Sequence, residues 1–246
     1  MKILVCISKA PDTTTKIAFK DNDTKFNEDN VQYIVNPYDE WYALVRALEL
    51  KETLGGNVTI INVGAADNDA VIRKALAIGA DDAVRIDAEP TDAFFVAEQI
   101  ANYAKAGAFD LIMAGKETIN YNGSSIGAMI AELLDLPFVS LATKLEMNGN
   151  IATIEHDIDG GTEVVECPTP LVLSANKGMA EARIPNMRGI MAARTKPLNV
   201  VAASSSAALT AVKSYQLAAG RVDCKYVDAD KPEELVNFLH NVAKVI

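Results

Sequence analysis

Four short apolar runs, separated by amphipathic stretches, organise the first half of the chain. Continuous apolar character predicts buried β-strands over Lys2–Ser8, Val58–Val63, Asp82–Ile86 and Leu111–Ala114. Apolar residues spaced three and four apart predict helices between the strands. One helix has Trp41, Leu44, Val45 and Leu48 on a single face, and the others cover Asp69–Ile78, Asp92–Ala106 and Ile126–Leu134. Buried strands that alternate with helices are typical of a parallel sheet covered on both faces, so the predicted fold class is α/β.

Capping residues mark two of these helix boundaries. Asn36 followed by Pro37 predicts a helix start, with Asn36 as the N-cap and proline at the first helical position. Gly79 predicts the end of the helix whose last residue is Ile78.

The period of the apolar pattern changes after Lys144. A small antiparallel β meander is predicted there, with turns at Asn148-Gly149 and Gly160-Gly161 and strands over Leu145–Asn148, Ile151–Asp157 and Thr162–Glu166. The next apolar run, Leu171–Ala175, is predicted to return to the main sheet.

The last seventy residues contain three different patterns. Residues 176–199 hold three arginines, two prolines and three methionines with little periodicity, which predicts a long exposed loop or a loop with a short helix. Serines and alanines around Ser204–Ser206 are typical of a linker. The tail Pro232–Ile246 is predicted to be an amphipathic helix with Leu235, Phe238, Leu239, Val242 and Val245 on one face.

Composition narrows the possible partners. A formal net charge of -10 and the lack of a basic stripe argue against nucleic acid. The three cysteines are far apart in sequence and include no CxxC, so neither a metal site nor a disulfide framework is predicted. The first apolar run is short and charged residues follow it, which favours a buried strand over a signal peptide. No apolar segment approaches the length of a membrane span.

The stretch AGKETINYNGSSIGAMIAELL, residues 114–134, is the main candidate binding site. A strand that ends in a small polar loop and opens a helix places free backbone amides at a helix N-terminus, where an anion can bind. Gly123 would allow close approach of a ligand, and Ser124 and Ser125 add hydroxyl donors. The alternative is an ordinary capped turn, because the spacing fits neither GxGxxG nor the P-loop.

No catalytic set stands out. His156 lies in the predicted meander and His240 on the polar side of the tail helix, and both are interpreted as surface residues. The acidic residues between 157 and 166 are interpreted as a solvated face, and Cys6 as a small apolar residue of a buried strand. We therefore predict no catalytic residue and no metal ligand.

Three stretches together resemble a known family. These are VNPYDEWYALVRALELKE from residue 35, VGAADNDAVIRKALAIGADDAVRI from residue 63, and IEHDIDGGTEVVECPTPLVLSA from residue 154, the last followed by RIPNMRGIMAARTKPL. The chain closely resembles the β subunit of electron transfer flavoproteins over nearly its whole length. One departure is His156, which stands where the family signature has a basic residue, so a salt bridge there would depend on pH.

The resemblance implies a fold, domains and partners. The fold would be Rossmann-like, of the adenine nucleotide alpha hydrolase-like type, with a nucleotide-binding domain over residues 1–200 and a linker and C-terminal helical arm over residues 201–246. The arm would contact an α subunit that holds a redox-active FAD. The heterodimer would accept electrons from acyl-CoA and other dehydrogenases and pass them to a membrane quinone oxidoreductase. It would be located in the bacterial cytoplasm or the mitochondrial matrix.

The resemblance also implies residue roles. Structural AMP would be bound in this subunit by Cys6, Asn36, Asp39, Ile61 and Val63 around the adenosine, and by Gly123, Ser124, Ser125 and Ile126 at the phosphate. Tyr38 matches an aromatic residue near the flavin. Residues 182–190 match the loop that docks partner dehydrogenases, with Ile184 as the apolar anchor beside Pro185, Met187 and Arg188.

Two alternatives remain open from the sequence. Bifurcating members of the family bind a second FAD in place of AMP and oxidise NADH. The predicted phosphate loop, which is the polar loop within residues 114–134, does not separate the two types because FAD contains an AMP moiety. A different class, the ATP-binding stress-type domains, uses a similar sheet, but it needs neither the meander nor the Ile-Pro-Asn-Met segment.

Overall fold

Two layers of helices enclose one large twisted sheet in the computed structural model, which describes residues 1–220 and 224–246. In these residues nine strands form the main sheet in the order β11-β10-β9-β12-β8-β1-β6-β7-β13. Their bounds are β1 Lys2–Cys6, β6 Asn57–Val63, β7 Asp82–Asp87, β8 Leu111–Gly115, β9 Phe138–Asn148, β10 Ile151–Ile158, β11 Gly161–Pro168, β12 Leu171–Ala175 and β13 Leu198–Ala202. Short hairpins in the first crossover pair β2 Lys9–Pro11 with β5 Tyr33–Val35, and β3 Phe19–Lys20 with β4 Lys25–Phe26.

In this spatial order, all strands from β9 across to β13 are parallel. Strands β10 and β11 extend the β9 edge as antiparallel strands. The helices are α1 Asp39–Leu54, α2 Asp69–Ile78, α3 Ala93–Lys105, α4 Ile126–Leu134, α5 Met187–Ala193 and α6 Pro232–Asn237. Buried side chains of α1 and α2 form one core on one face of the sheet, and those of α3 and α4 form a second core on the other face. The α/β class and the meander are therefore confirmed.

Several predicted boundaries hold. Helix α2 covers the predicted residues, and Gly79 ends it. The φ of Gly79 is 155°, a backbone conformation that residues with a side chain rarely adopt. Helix α3 begins where Asp92 caps it, with the carboxylate accepting a hydrogen bond of 2.7 Å from Phe95 N. Strand β12 returns to the main sheet between β8 and β9, as its apolar sequence predicts.

One predicted boundary is wrong. Asn36 does not cap the first helix, which begins at Asp39 after Tyr38. Asn36 is fully buried and its amide binds the loop after β8 instead. A long-range pair of hydrogen bonds has replaced the local capping bond that sequence predicts.

The region after residue 197 differs from the predicted loop and linker. Residues 198–202 form β13, which pairs in parallel with β7 at the edge of the sheet, so the predicted boundary at residue 200 lies within a strand. The chain then stays attached to the α/β domain. Ser204 bonds to Gln99, Leu209 and Thr210 bond to Asp92, and the Tyr215 ring stacks on Phe19 with centroids 4.9 Å apart.

The tail is helical from Pro232 and continues as a π-helix over Phe238–Ala243. Its predicted apolar face does not pack on the domain, since Leu235 and Val242 are exposed and Phe238 and Leu239 are half-buried. The segment from residue 224 onward therefore presents apolar side chains to the surroundings.

Candidate nucleotide site and docking segment

The carboxyl ends of β1, β6 and β8 meet at one edge of the sheet. Register places Cys6 beside Ile61 and Val5 beside Met113, so the loops after these strands are neighbours. Cys6, Ile61 and Val63 belong to one buried apolar cluster, and Ile126 of α4 packs partly buried against it. The structure thus brings together four of the predicted binding residues at the edge where open α/β sheets bind ligands.

The loop after β8 is held in place by Asn36. The Asn36 amide donates a 3.0 Å hydrogen bond to Glu117 O, and its carbonyl oxygen accepts a 3.0 Å bond from Ile119 N. Because Asn36 is fully buried, this pair fixes the first half of the loop to the start of α1. Asn36 is therefore a residue that positions the loop.

The second half of the loop opens into α4. Ser124 has a φ of 50°, and its hydroxyl donates to Glu117 at 3.1 Å. Ser125 is the N-cap of α4 and its side chain makes no capping hydrogen bond to any described residue. The first amides of a helix have no intrahelical acceptor. A side chain at Gly123 would first meet Ser125 Oγ, at 3.8 Å. This arrangement of free donors and open space fits a phosphate group.

A buried acid lies beneath this edge. Glu40, in the first turn of α1, accepts hydrogen bonds of 2.8 Å from both the amide and the hydroxyl of Ser8. Burial raises the pKa of Glu40 to about 8, because the loss of hydration outweighs the two hydrogen bonds. Burial also raises the pKa of the Cys6 thiol, and the neighbouring Glu40 raises it further.

Tyr38 and Asp39 line an open cleft of about 710 Å³ that also borders the loop after β8. Tyr38 adopts φ 67° and ψ -103°, which turns the chain sharply into α1, and it is 60% exposed. Asp39 follows it, and burial raises the pKa of that carboxyl while Lys116 opposes the rise. The cleft is also lined by Tyr42, Asn122, Asp157, Asn176 and Lys177. The predicted set is therefore distributed over an apolar cluster, the loop that opens into α4, and this cleft.

His156 is partly buried, which differs from the predicted surface position. Its Nε2 lies 3.2 Å from Glu163 Oε2 across the β10–β11 pair, with 14% of the side chain exposed. Asp157, next to it, accepts a 2.9 Å hydrogen bond from Asn176. This part of the meander is thus tied to the loop after β12.

The predicted docking segment, residues 182–190, lies beside the layer that α1 and α2 form. Ile184 is 84% exposed and Met187 is 73% exposed, while Pro185 is half-buried and Arg188 is exposed. Arg183 forms two hydrogen bonds with Glu52, at 2.6 and 3.1 Å, so its charge is already paired. Asn186 caps α5 by accepting a 2.8 Å bond from Gly189 N. Residues 187–193 form a short helix, so of the two predicted alternatives the loop with a short helix is the one observed.

Sequence reasoning missed Glu40 and the contacts that hold the docking segment. A signal for Glu40 was present, because residue 40 shares a helical face with the apolar residues Ala43, Leu44 and Ala47. Arg73 and Lys196 each bond to a backbone carbonyl more than a hundred residues away in sequence, so no local sequence pattern predicts these contacts.

Comparison with known proteins decides the family. The electron transfer flavoprotein domain matches residues 23–206 of this chain. The β subunit of the electron transfer flavoprotein of Bacillus subtilis is 37% identical over 202 residues, which cover 80% of this chain and 77% of the relative. This chain belongs to the electron transfer flavoprotein family, as a β subunit.

Two further relatives extend the comparison. The electron transfer flavoprotein β subunit of Syntrophomonas wolfei is 33% identical over 251 residues, covering 100% of this chain and 98% of the relative. The electron transfer subunit gamma of the acryloyl-CoA reductase of Anaerotignum propionicum is 31% identical, covering 82% of this chain and 77% of the relative. The resemblance identified from sequence is confirmed, and the flavoprotein role in electron transport with it.

The described residues of this electron transfer flavoprotein subunit include neither a membrane-spanning helix nor a metal-binding cluster. Its described helices are all too short or too polar to cross a membrane. The described histidines, cysteines and carboxylates do not gather into a group that could hold a metal ion.

Proposed function

We propose that this chain is the β subunit of a heterodimeric electron carrier whose α subunit holds the redox-active FAD. The carrier accepts electrons from acyl-CoA dehydrogenases and similar flavoenzymes and delivers them to a membrane quinone oxidoreductase. The β chain performs no substrate turnover. Its exposed C-terminal apolar residues, among them Leu235 and Val242, provide a surface for the α subunit. The heterodimer acts in the bacterial cytoplasm or the mitochondrial matrix.

We further propose that the β chain binds AMP as a structural ligand. The observation that carries this assignment is the start of α4, where the Ser125 side chain leaves the first helical amides uncapped within the described structure. These amides and the helix dipole hold the phosphate, and Gly123 leaves space for it. Cys6, Ile61 and Val63 form an apolar floor for the adenosine. Asn36 and Asp39 act at the edge of the same site.

Docking of the electron donor is assigned to the exposed apolar residues around α5. Ile184 is the central anchor, with Pro185 and Met187 beside it, since a few desolvated side chains carry most of the energy of a transient complex. Arg188 is exposed and attracts acidic partner surfaces, which speeds the encounter.

The nucleotide assignment is tested by purifying the complex from its native host, denaturing it, and identifying the released nucleotides and the bound protein by mass spectrometry. One FAD and one AMP per heterodimer with an α-type subunit is the expected result. ATP without a second subunit would contradict the proposal.

The docking assignment is tested by Ile184→Ala. The apparent KM for the partner dehydrogenase should rise roughly tenfold, the effect of losing about 1.4 kcal/mol of docking energy, with FAD retained. Leu209→Ala removes another exposed apolar side chain, 67% exposed against 84% for Ile184, outside the docking segment and is the control. An unchanged KM in the Ile184 variant would overturn the assignment.

A bifurcating carrier with a second FAD in place of AMP is the second candidate. The open cleft of about 710 Å³ beside the phosphate loop favours it, because that space lies next to Asp39 and includes the aromatic rings of Tyr38 and Tyr42. One relative of similar sequence is named as an electron transfer subunit of acryloyl-CoA reductase, which associates that relative with a reductase. Release of two FAD and no AMP in the experiment above would select this candidate. The stress-type alternative belongs to a family other than the one this chain matches.

A further inference from the structure

The docking segment is fastened to the helix layer beneath it. Helix α5 approaches α2 so closely at Gly189 that a side-chain carbon there would lie 2.3 Å from the carbonyl oxygen of Ala77. Ala193, at the end of α5, is buried in the core that α1 and α2 form. One side of α5 is thus fixed against α2, while Met187 and Met191 of α5 remain exposed.

Two cationic side chains complete this attachment. Arg73 of α2 contacts the end of α5, and Lys196, which follows α5, contacts the end of α2. Arg73 of α2 donates from Nη1 to Ala193 O at 2.7 Å and to Lys196 O at 2.6 Å, just where α5 ends. Lys196, three residues after α5, donates from Nζ to Leu76 O at 2.9 Å and to Ala80 O at 2.5 Å, where α2 ends. The last carbonyls of a helix lack intrahelical donors, so each cation meets an unsatisfied end with a partial negative charge.

The other end of the segment is held by α1. Trp41 donates from Nε1 to Arg183 O at 3.2 Å, and the Arg183 side chain pairs with Glu52. Ile184 therefore follows a fixed residue and precedes a fixed helix. A docking residue held in this way loses less conformational freedom when a partner binds, which raises affinity without adding a contact.

We propose that Arg73 and Lys196 are positioning residues for partner docking, which hold α5 and Ile184 in the arrangement that the electron-donating flavoenzyme recognises. This inference rests on the proposed docking function. Neither residue needs to touch the partner, since both cations are directed to backbone carbonyls within the chain.

The test measures electron transfer from a partner acyl-CoA dehydrogenase to the assembled α/β heterodimer as the heterodimer concentration is varied. Arg73→Met and Lys196→Met should each raise the apparent KM roughly five- to tenfold, with kcat and FAD content unchanged. Lys74→Met is the matched control, because it removes one positive charge from the same helix at an exposed side chain that bonds to Tyr33 O. Its KM should stay within about twofold of the native value.

Two further variants separate positioning from folding and from charge. Arg73→Lys keeps a cation near the two carbonyls and should recover much of the native KM. Gly189→Ala keeps every charge but forces α5 away from Ala77, so it should raise KM in the same direction as Arg73→Met. A native KM in assembled Arg73→Met, or in assembled Gly189→Ala if Arg73→Met fails to assemble, would overturn the inference.

The Ile184→Ala result distinguishes this inference from the docking function on which it rests. If Ile184→Ala raises KM and Arg73→Met does not, the positioning role is wrong and the docking assignment stands. If Ile184→Ala leaves KM unchanged, the docking assignment itself is wrong.

Discussion

The Ser8 hydroxyl donates a 2.8 Å hydrogen bond to Glu40 Oε1, and the Ser8 amide binds the other carboxylate oxygen. This contact joins the end of β1 to the first turn of α1 beneath the proposed nucleotide site. Gly115, where β8 ends, lies so close that a side chain there would meet Glu40 Cγ at 2.7 Å. The acid is therefore enclosed by the backbone that positions the phosphate loop.

Glu40 should make the stability of the protein depend on pH. Burial raises its pKa to about 8 from an ordinary value of 4.5. Because the folded protein keeps the proton where the unfolded chain has released it, the free energy of unfolding falls as pH rises from 4.5 through about 8. The free energy of unfolding, measured with urea, should decline between about pH 5.5 and about pH 9. Over roughly this range the folded protein holds the Glu40 proton more tightly than the unfolded chain does.

Glu40→Gln is the matched variant. The amide keeps the volume of the acid and can bind both Ser8 groups without a titratable proton. Stability should then change less with pH than in the native chain, and the nucleotide should be retained. A native pH profile in the Gln variant would show that another group is responsible.

A negative charge in the phosphate loop should expel the nucleotide. Gly123→Asp fits the open space at this position but repels a phosphate at the start of α4. Gly123→Asn has the same shape without the charge. The Asp variant should purify with most of its AMP lost and the Asn variant with most of it retained, as measured by chromatography of the released nucleotide. Equal retention would place the phosphate elsewhere.

Asp92 should control how firmly the segment after β13 is attached. Its Oδ2 accepts hydrogen bonds from Leu209 N at 2.7 Å and from Thr210 N at 2.8 Å, while Oδ1 caps α3. Asp92→Ala removes both functions, so trypsin should cleave after Lys213 several-fold faster. Thr210→Val removes the Thr210 hydroxyl and keeps the two backbone donors, and its cleavage should match that of the native chain. Similar cleavage of the native and Asp92→Ala chains would mean that other contacts hold the segment.

The three cysteines should differ in reactivity. Burial raises the pKa of the Cys6 and Cys167 thiols, and reaction with a disulfide reagent requires the thiolate. Any fast phase of labelling in the native protein should therefore come from the exposed Cys224 and should disappear in Cys224→Ser. All three thiols should react after unfolding. Fast labelling that survives in Cys224→Ser would mean that one of the buried positions opens in the native state.

Much of the fold follows from local patterns in the sequence. The continuous apolar runs determine β1, β6 and β8, and the amphipathic spacing determines α2, whose end is set by Gly79. These elements depend on short-range periodicity and on backbone conformation, both of which neighbouring residues specify. The loop between β8 and α4 could be located for the same reason, because a strand, a small polar loop and a helix follow one another in sequence.

Tertiary structure decided the rest. Asn36 does not cap the helix because its buried amide pairs with two backbone groups of a loop about eighty residues later. Residues 198–202 are a strand because β7 presents a free edge to them, since their own sequence carries little periodic signal.

The family came from the sequence alone, whereas the class of ligand and the docking anchor stay predictions of the sequence. The acidity of Glu40 and the positions of Arg73 and Lys196 came only from packing, because burial and the partners of a charge are set by residues that are distant in the chain.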